Sequence, residues 1–223
     1  MPITDLKSKA MCDSSRYFEE KALHDLEVSD LAFIHLDRIL GFQRLSNCTL
    51  YTSLHDLMNT AQASFNNNRT RIYTPLLACF AVLDQIGGAY GSKSKSTNYR
   101  GGIKIALDLF GTYTENEIEK LYALRNGLYH DGSLLSVSTN KKTNVIFRIS
   151  EETTNTITHP KQEWDGIYHD DINQYITTIN TKKFKNDIEN IITKCTNDLL
   201  TGSLEMKINC PREFFYKFLF AKK

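Results

Sequence analysis

Between Ile72 and Gly87 the chain is apolar almost all the way round a helical wheel, and Asp84 is its lone charge. A helix without a polar face has to be surrounded by other elements, so this segment is predicted to be the central buried helix. The chain of 223 residues is long enough to surround it, as one large or two small domains. Candidate neighbours precede it. Ser14 or Ser15 opens a helix through Phe18, Ala22 and Leu26. Ser29 caps a second through Leu31, Ile34, Ile39 and Leu40, stopped by Gly41. A third spans Cys48 to Phe65, and Asn66-Asn67-Asn68 is a loop. Beyond the central helix come a Gly/Ser/Lys loop from Gly88 to Gly102, a short helix from Ile103 to Phe110, and a longer one from Glu115 to His130.

The character changes after Gly132. Leu134 to Ser138 and Asn144 to Ile149 read as two strands joined by a polar turn, Thr139 to Thr143. Glu151 to Asp171 is polar and irregular and holds the only Trp, Trp164. Helix is expected again from Asp171 to Leu200, interrupted near Asn180. The aromatic, basic tail from Pro211 to Lys223 reads as a segment that docks on the core. The expected fold class is mostly α: a helical bundle with a small β-hairpin and additional helices at the C-terminal end. The natural division is a helical domain over 1–135 and an α+β extension over 136–223 packed on it.

The Glu115–His130 helix carries the chemistry. Thr114 and Glu117 form a capping-box signal at its start, and Asp131-Gly132-Ser133 ends it. Ile118, Leu121, Tyr122, Leu128 and Tyr129 make its apolar stripe, with Arg125 in the middle where Leu is expected. An arginine cannot shed its charge, so it needs an anion or an acid as partner; a phosphate or Asp84 would serve. Five residues on stands His130, and histidine is the side chain whose charge changes near neutral pH. A fixed cation and a proton carrier suffice for metal-free phosphodiester chemistry. On an ideal helix Asn126 and His130 share a face, whereas Arg125 and His130 lie about 140° apart. A bent last turn or a second copy of the chain is needed to aim both at one atom.

Other features narrow the field. Gly87 to Ser94 is a near miss to a phosphate-binding loop, but it follows an apolar helix instead of a strand. The same loop collects Lys93, Lys95, Arg100 and Lys104 with no acid between Asp84 and Asp108, which would guide a polyanion or simply solvate a connector. The formal net charge of +1 gives no global reason to expect nucleic acid. No Cys–His or His–His pair has zinc spacing, no nucleophile elbow is present, and no cofactor or metal is expected. The five cysteines are odd in number and read as free thiols of a reducing compartment. Met1 to Lys7 lacks the apolar core of a signal peptide, and the apolar run Pro75–Leu83 is too short to span a bilayer, so the expectation is a cytoplasmic protein without a membrane partner.

The stretch Leu121 to Gly132 resembles the signature of the HEPN superfamily (higher eukaryotes and prokaryotes nucleotide-binding domains): an Arg, then a polar residue, then His four to six residues further on. Phe80 to Gly88, with Asp84, resembles the helix that precedes that motif in bacterial members. The resemblance covers about residues 15 to 135 and is specific only around the motif. It implies a helical bundle that forms a homodimer, with two motifs lining one cleft. Many members are metal-independent endoribonucleases of toxin–antitoxin, phage-defence or RNA-processing systems, and others are not nucleases. Carried over, His130 would deprotonate the ribose 2′-hydroxyl or protonate the leaving oxygen. Arg125 would stabilise charge on the phosphate, and Asn126 would orient the His or the phosphate. Asp84 and Tyr129 would be supporting residues. RNA, and an antitoxin or defence-system partner protein, are the implied partners; a non-catalytic module binding nucleotide, RNA or protein is the alternative.

Overall fold

The computed structural model describes residues 11–137 and 144–222. Eight α-helices are present among them: α1 (Met11–Glu19), α2 (Val28–His35), α3 (Ser53–Ser64), α4 (Thr74–Ala89), α5 (Gly102–Phe110), α6 (Glu115–Asn126), α7 (Thr181–Thr201) and α8 (Pro211–Phe218). Nine short strands accompany them: β1 (Phe42–Arg44), β2 (Thr49–Thr52), β3 (Tyr90–Ser92), β4 (Leu135–Ser136), β5 (Val145–Ile149), β6 (Ile157–Thr158), β7 (Ile176–Ile179), β8 (Leu204–Met206) and β9 (Leu219–Lys222).

The mostly-α expectation is therefore corrected. About half of the structure is helix and about 15% is strand, arranged in three sheets. One sheet has the order β1-β2-β9, a second pairs β3 with β8, and the third runs β4-β5-β7-β6 with β5 and β7 parallel. Apart from the expected hairpin, the strands escaped notice for a physical reason. Each of the others is two to four residues long, too short to show a period, and most pair with segments far away in sequence. The third expected helix begins late because Thr49–Thr52 is taken by β2; Thr52 then caps α3, its hydroxyl accepting from the Leu54 amide at 3.3 Å. The expected helix from Asp171 starts only at Thr181, since Ile176-Thr177-Thr178-Ile179 is β-branched throughout and pairs with β5. Asn180 marks the interruption and caps α7, accepting from the Lys183 amide at 3.1 Å. The second helix stops at His35, and Ile39 and Leu40 beyond it are exposed. The hairpin is present as the antiparallel pair β4–β5, and the turn assigned to Thr139–Thr143 lies outside the described residues.

The central helix is where its sequence puts it. Leu76, Cys79, Phe80, Val82, Leu83 and Ile86 of α4 are fully buried, with α3, α5 and α7 packed around them. Each such large apolar side chain contributes about 1.5–3 kcal/mol through burial. Phe184, Ile188, Ile191, Ile192, Cys195 and Leu199 of α7 join the same core at steps of three and four. Residues on both sides of position 135 thus share one hydrophobic cluster. The aromatic tail docks: Phe214 is fully buried, the Phe218 ring stacks on His35 with centroids 4.9 Å apart, and β9 completes the first sheet. No described helix is long and apolar enough to cross a membrane.

Two glycine contacts position the site. A Cβ on Gly87 would lie 1.8 Å from the Gly102 carbonyl oxygen, so α4 and the start of α5 touch backbone to backbone. A Cβ on Gly127 would lie 2.8 Å from the carbonyl oxygens of Ser133 and Leu135, so the end of α6 packs directly on the chain leading into β4.

Candidate functional site

The capping box at the start of α6 forms as its residues predict. The Thr114 hydroxyl accepts from the Glu117 amide at 3.4 Å, and Glu117 Oε2 accepts from the Thr114 amide at 2.9 Å. The other end differs from the expectation. Regular α-helix stops at Asn126, and Gly127–Asp131 forms a π-helical turn closed by Gly132 in the left-handed region, φ 60°. The Gly127 carbonyl accepts from the amides of Gly132 and Ser133 as the chain folds back over it. In a π turn hydrogen bonds join residues five apart, so each residue advances around the axis by less than in an α-helix. The offset between Arg125 and His130 is thereby smaller than the about 140° of an ideal α-helix.

Arg125 holds a loose set of partners. Its Nη1 donates to Asn126 Oδ1 at 3.2 Å, its Nη2 lies 3.7 Å from Asp84 Oδ2, and its guanidinium carbon stands 4.8 Å from the Tyr129 ring centre. Its Nε is buried with no hydrogen-bond partner among the described residues. The side chain is 23% exposed and that of Asp84 51% exposed, so the two do not form a sealed core pair. Asp84 also has a second positive neighbour. Its Oδ1 would lie 2.9 Å from a Cβ on Gly102, against the N-terminal end of α5 where the helix dipole favours an anion. A solvent-facing edge of α4, next to a cation and a helix start, accounts for an acid in this segment.

The Tyr129 hydroxyl donates to the Leu77 carbonyl at 2.8 Å. Burial of that end raises the phenol pKa, although the neighbouring Arg125 charge pulls it down, and the hydroxyl stays a donor. His130 is exposed and makes no hydrogen bond or ion pair among the described residues. Asn126 is committed to Arg125, and its amide nitrogen has no partner among the described residues.

The four cations of the basic loop are not equivalent. Lys95 pairs with Asp108 at 3.0 Å, and Lys104 with Glu119 at 2.7 Å while lying 4.5 Å from the Tyr122 ring centre. Lys93 donates to the Gly202 carbonyl at 2.9 Å and faces no acid in an ion pair among the described residues. Arg100 is exposed and without a partner among the described residues. Acids outside the loop thus offset two of the four charges.

A second group of polar side chains escaped the sequence reading. Thr112, Tyr113, Glu117, Thr154–Ile157, His159, Lys183, Asn186 and Asp187 line a cleft of about 510 Å³ between the start of α6, the segment around β6 and the first turns of α7. Beside it Lys120, only 1% exposed, donates to Glu163 Oε1 at 2.7 Å and faces His159 Nδ1 at 3.4 Å; His159 Nε2 lies 3.7 Å from Glu117 Oε1. Glu117 was legible only as a helix cap, and nothing local ties His159 to Asp187. Neither Arg125 nor His130 lines this cleft.

Cys48, Cys79, Cys195 and Cys210 are free thiols. Among the described residues no group of three or more His, Cys, Asp or Glu side chains is placed to hold a metal ion. No family model, curated protein or solved structure matches the chain.

Proposed function

We propose that the chain is a metal-independent endoribonuclease of the HEPN type, acting in the cytoplasm as a toxin or phage-defence effector. The observation that carries this reading is the end of α6. An exposed His130 follows, within one π turn, an Arg125 whose charge is only loosely paired and partly open. In the proposed reaction the His130 imidazole takes the proton of a ribose 2′-hydroxyl as that oxygen attacks the adjacent phosphorus. The P–O2′ bond forms, the P–O5′ bond breaks, and the departing 5′ oxygen takes a proton from water. The products are a 2′,3′-cyclic phosphate and a 5′-hydroxyl. Arg125 meets the charge that builds on the phosphate oxygens, and Asn126 and Tyr129 hold the guanidinium in place. Positioned acid–base groups contribute about 10²–10⁴-fold, and a charge-stabilising donor about 10²–10³-fold. Two copies related by a two-fold axis would place two such ends in one cleft, with the exposed rings of Tyr129 at the junction. Lys93 and Arg100 are the loop cations left to guide RNA.

The test is cleavage of single-stranded RNA in EDTA. Wild type is expected to cut and His130→Ala to lose at least a hundredfold in rate. Activity that disappears in chelator and returns with Mg²⁺ or Mn²⁺ would point to a different chemistry. A second reading, a HEPN-like module that binds nucleotide, RNA or a partner protein such as an antitoxin without cutting, is favoured by the pairing of Lys95 and Lys104 with acids. It predicts RNA binding that neither cleaves nor depends on His130.

A further inference from the structure

The cleft at the other end of α6 holds charges that do not neutralise one another. Asp187 Oδ2 accepts from the Tyr113 hydroxyl and from the Thr156 hydroxyl, both at 2.6 Å. Both donors converge on one oxygen, and Oδ1 has no partner among the described residues. Burial and the adjacent Asp187 charge raise the Tyr113 phenol far above its ordinary pKa, so it remains a neutral donor. Lys183 stands four residues before Asp187 on α7, the spacing at which a Lys and an Asp can meet on one helix face. They form no ion pair, and the Lys183 ammonium has no partner among the described residues. Hydroxyls hold the carboxylate, and the lysine is left open in the same cleft. Glu117 adds a second carboxylate whose Oε1 accepts no hydrogen bond among the described residues and lies 3.7 Å from His159 Nε2. The lining thus offers two carboxylates, Asp187 and Glu117, and one ammonium, Lys183, and Asn155, Asn186 and Thr154 supply further donors and acceptors.

From this arrangement we infer that the cleft binds a small molecule of complementary charge, carrying two cationic groups and one carboxylate: a free basic amino acid. Its two cations face Asp187 and Glu117, and its carboxylate faces Lys183. A volume of about 510 Å³ accommodates a molecule of that size with water. The polar lining favours such a ligand over a nucleobase, which needs apolar walls on both faces. The site is separate from the end of α6 and does not depend on ribonuclease activity.

Titration calorimetry on the full chain at neutral pH tests this with three probes: L-arginine; agmatine, which lacks the carboxylate; and D-ribose, a neutral polyol. L-Arginine is expected to bind saturably at one site per chain. Asp187→Asn keeps an oxygen for Tyr113 and Thr156 but removes the charge, so it should weaken both amines roughly tenfold or more, the loss of one charged hydrogen bond. Lys183→Ala should weaken L-arginine roughly tenfold while leaving agmatine within about twofold. Thermal melts of both variants confirm that they are folded. Three results overturn the inference: no saturable heat with L-arginine up to about 10 mM, amine binding that neither substitution changes, or ribose binding that Asp187→Asn abolishes.

Discussion

Removing Arg125 and removing Asp84 should have unequal and modest costs. If the two formed a sealed core pair, truncating either would strand a buried charge and cost about 3–5 kcal/mol. The structure places them 3.7 Å apart with Asp84 about half exposed, the regime in which an ion pair contributes only about 0.2–1 kcal/mol. Asp84→Ala loses that and a charge–dipole contact with α5 of about 0.3–1 kcal/mol, so its expected cost is about 1 kcal/mol. Arg125→Ala loses the ion pair, the hydrogen bond to Asn126, and the contact with the Tyr129 ring at about 0.5–1 kcal/mol. Its expected cost is about 2 kcal/mol. His130→Ala removes an exposed side chain with no hydrogen bond or ion pair among the described residues and should stay within about 0.5 kcal/mol of wild type. For a chain of this size each kcal/mol moves the melting temperature by about 2–4 °C. Urea titrations and thermal melts of the three variants and of the Asp84→Ala/Arg125→Ala double variant measure these values. A loss of 3 kcal/mol or more in Asp84→Ala, or a coupling energy well above 1 kcal/mol, would refute the loose-pair geometry.

Three further outcomes are expected. His35 is buried between Tyr90 and Gln85, and burial lowers its pKa to about 4 from 6.5, so the unfolded chain binds the proton more readily. This contribution to stability is full above about pH 6.5 and declines as pH falls towards about 4, a loss of about 3 kcal/mol; denaturant titrations of His35→Leu should lack that pH dependence, and an unchanged profile would place the group elsewhere. Gly127→Ala forces a Cβ against two carbonyl oxygens and should destabilise by about 1–2 kcal/mol, whereas a gain of about 1 kcal/mol, as at an open helical glycine, would show that the close approach is absent. Light scattering at tens of micromolar should report a dimer, and a crosslink between single cysteines placed at position 130 should form across it; a strict monomer would remove the shared cleft from the proposal.

What was legible in the sequence follows the range of the interactions involved. The burial of α4 and the capping box of α6 depend on residues within a turn or two of each other, and both stand as their residues predict. The strand Ile176–Ile179 depends on a parallel partner about thirty residues earlier, and β2 on the far end of the chain, so both were absorbed into expected helices. The π turn arises where Gly127 meets the backbone of Ser133 and Leu135, a contact that no helical wheel contains. Asp84 stands out in the sequence as the lone charge of its helix, but its exposure depends on which edge of α4 the glycine contact with α5 leaves open. The charged cleft was invisible for the same reason: Glu117, His159 and Asp187 come from three distant segments.

The central claim is that the end of α6 cuts RNA through the 2′-hydroxyl without a metal. Its most direct test is one RNA oligonucleotide, incubated in EDTA with wild type and with His130→Ala, compared with the same oligonucleotide carrying 2′-deoxyribose at the mapped cleavage position. The account predicts that wild type cuts only the all-ribose strand and leaves a 2′,3′-cyclic phosphate, and that His130→Ala cuts neither. Equal cleavage of the deoxy-substituted strand, or cleavage by His130→Ala at the wild-type rate, would contradict it.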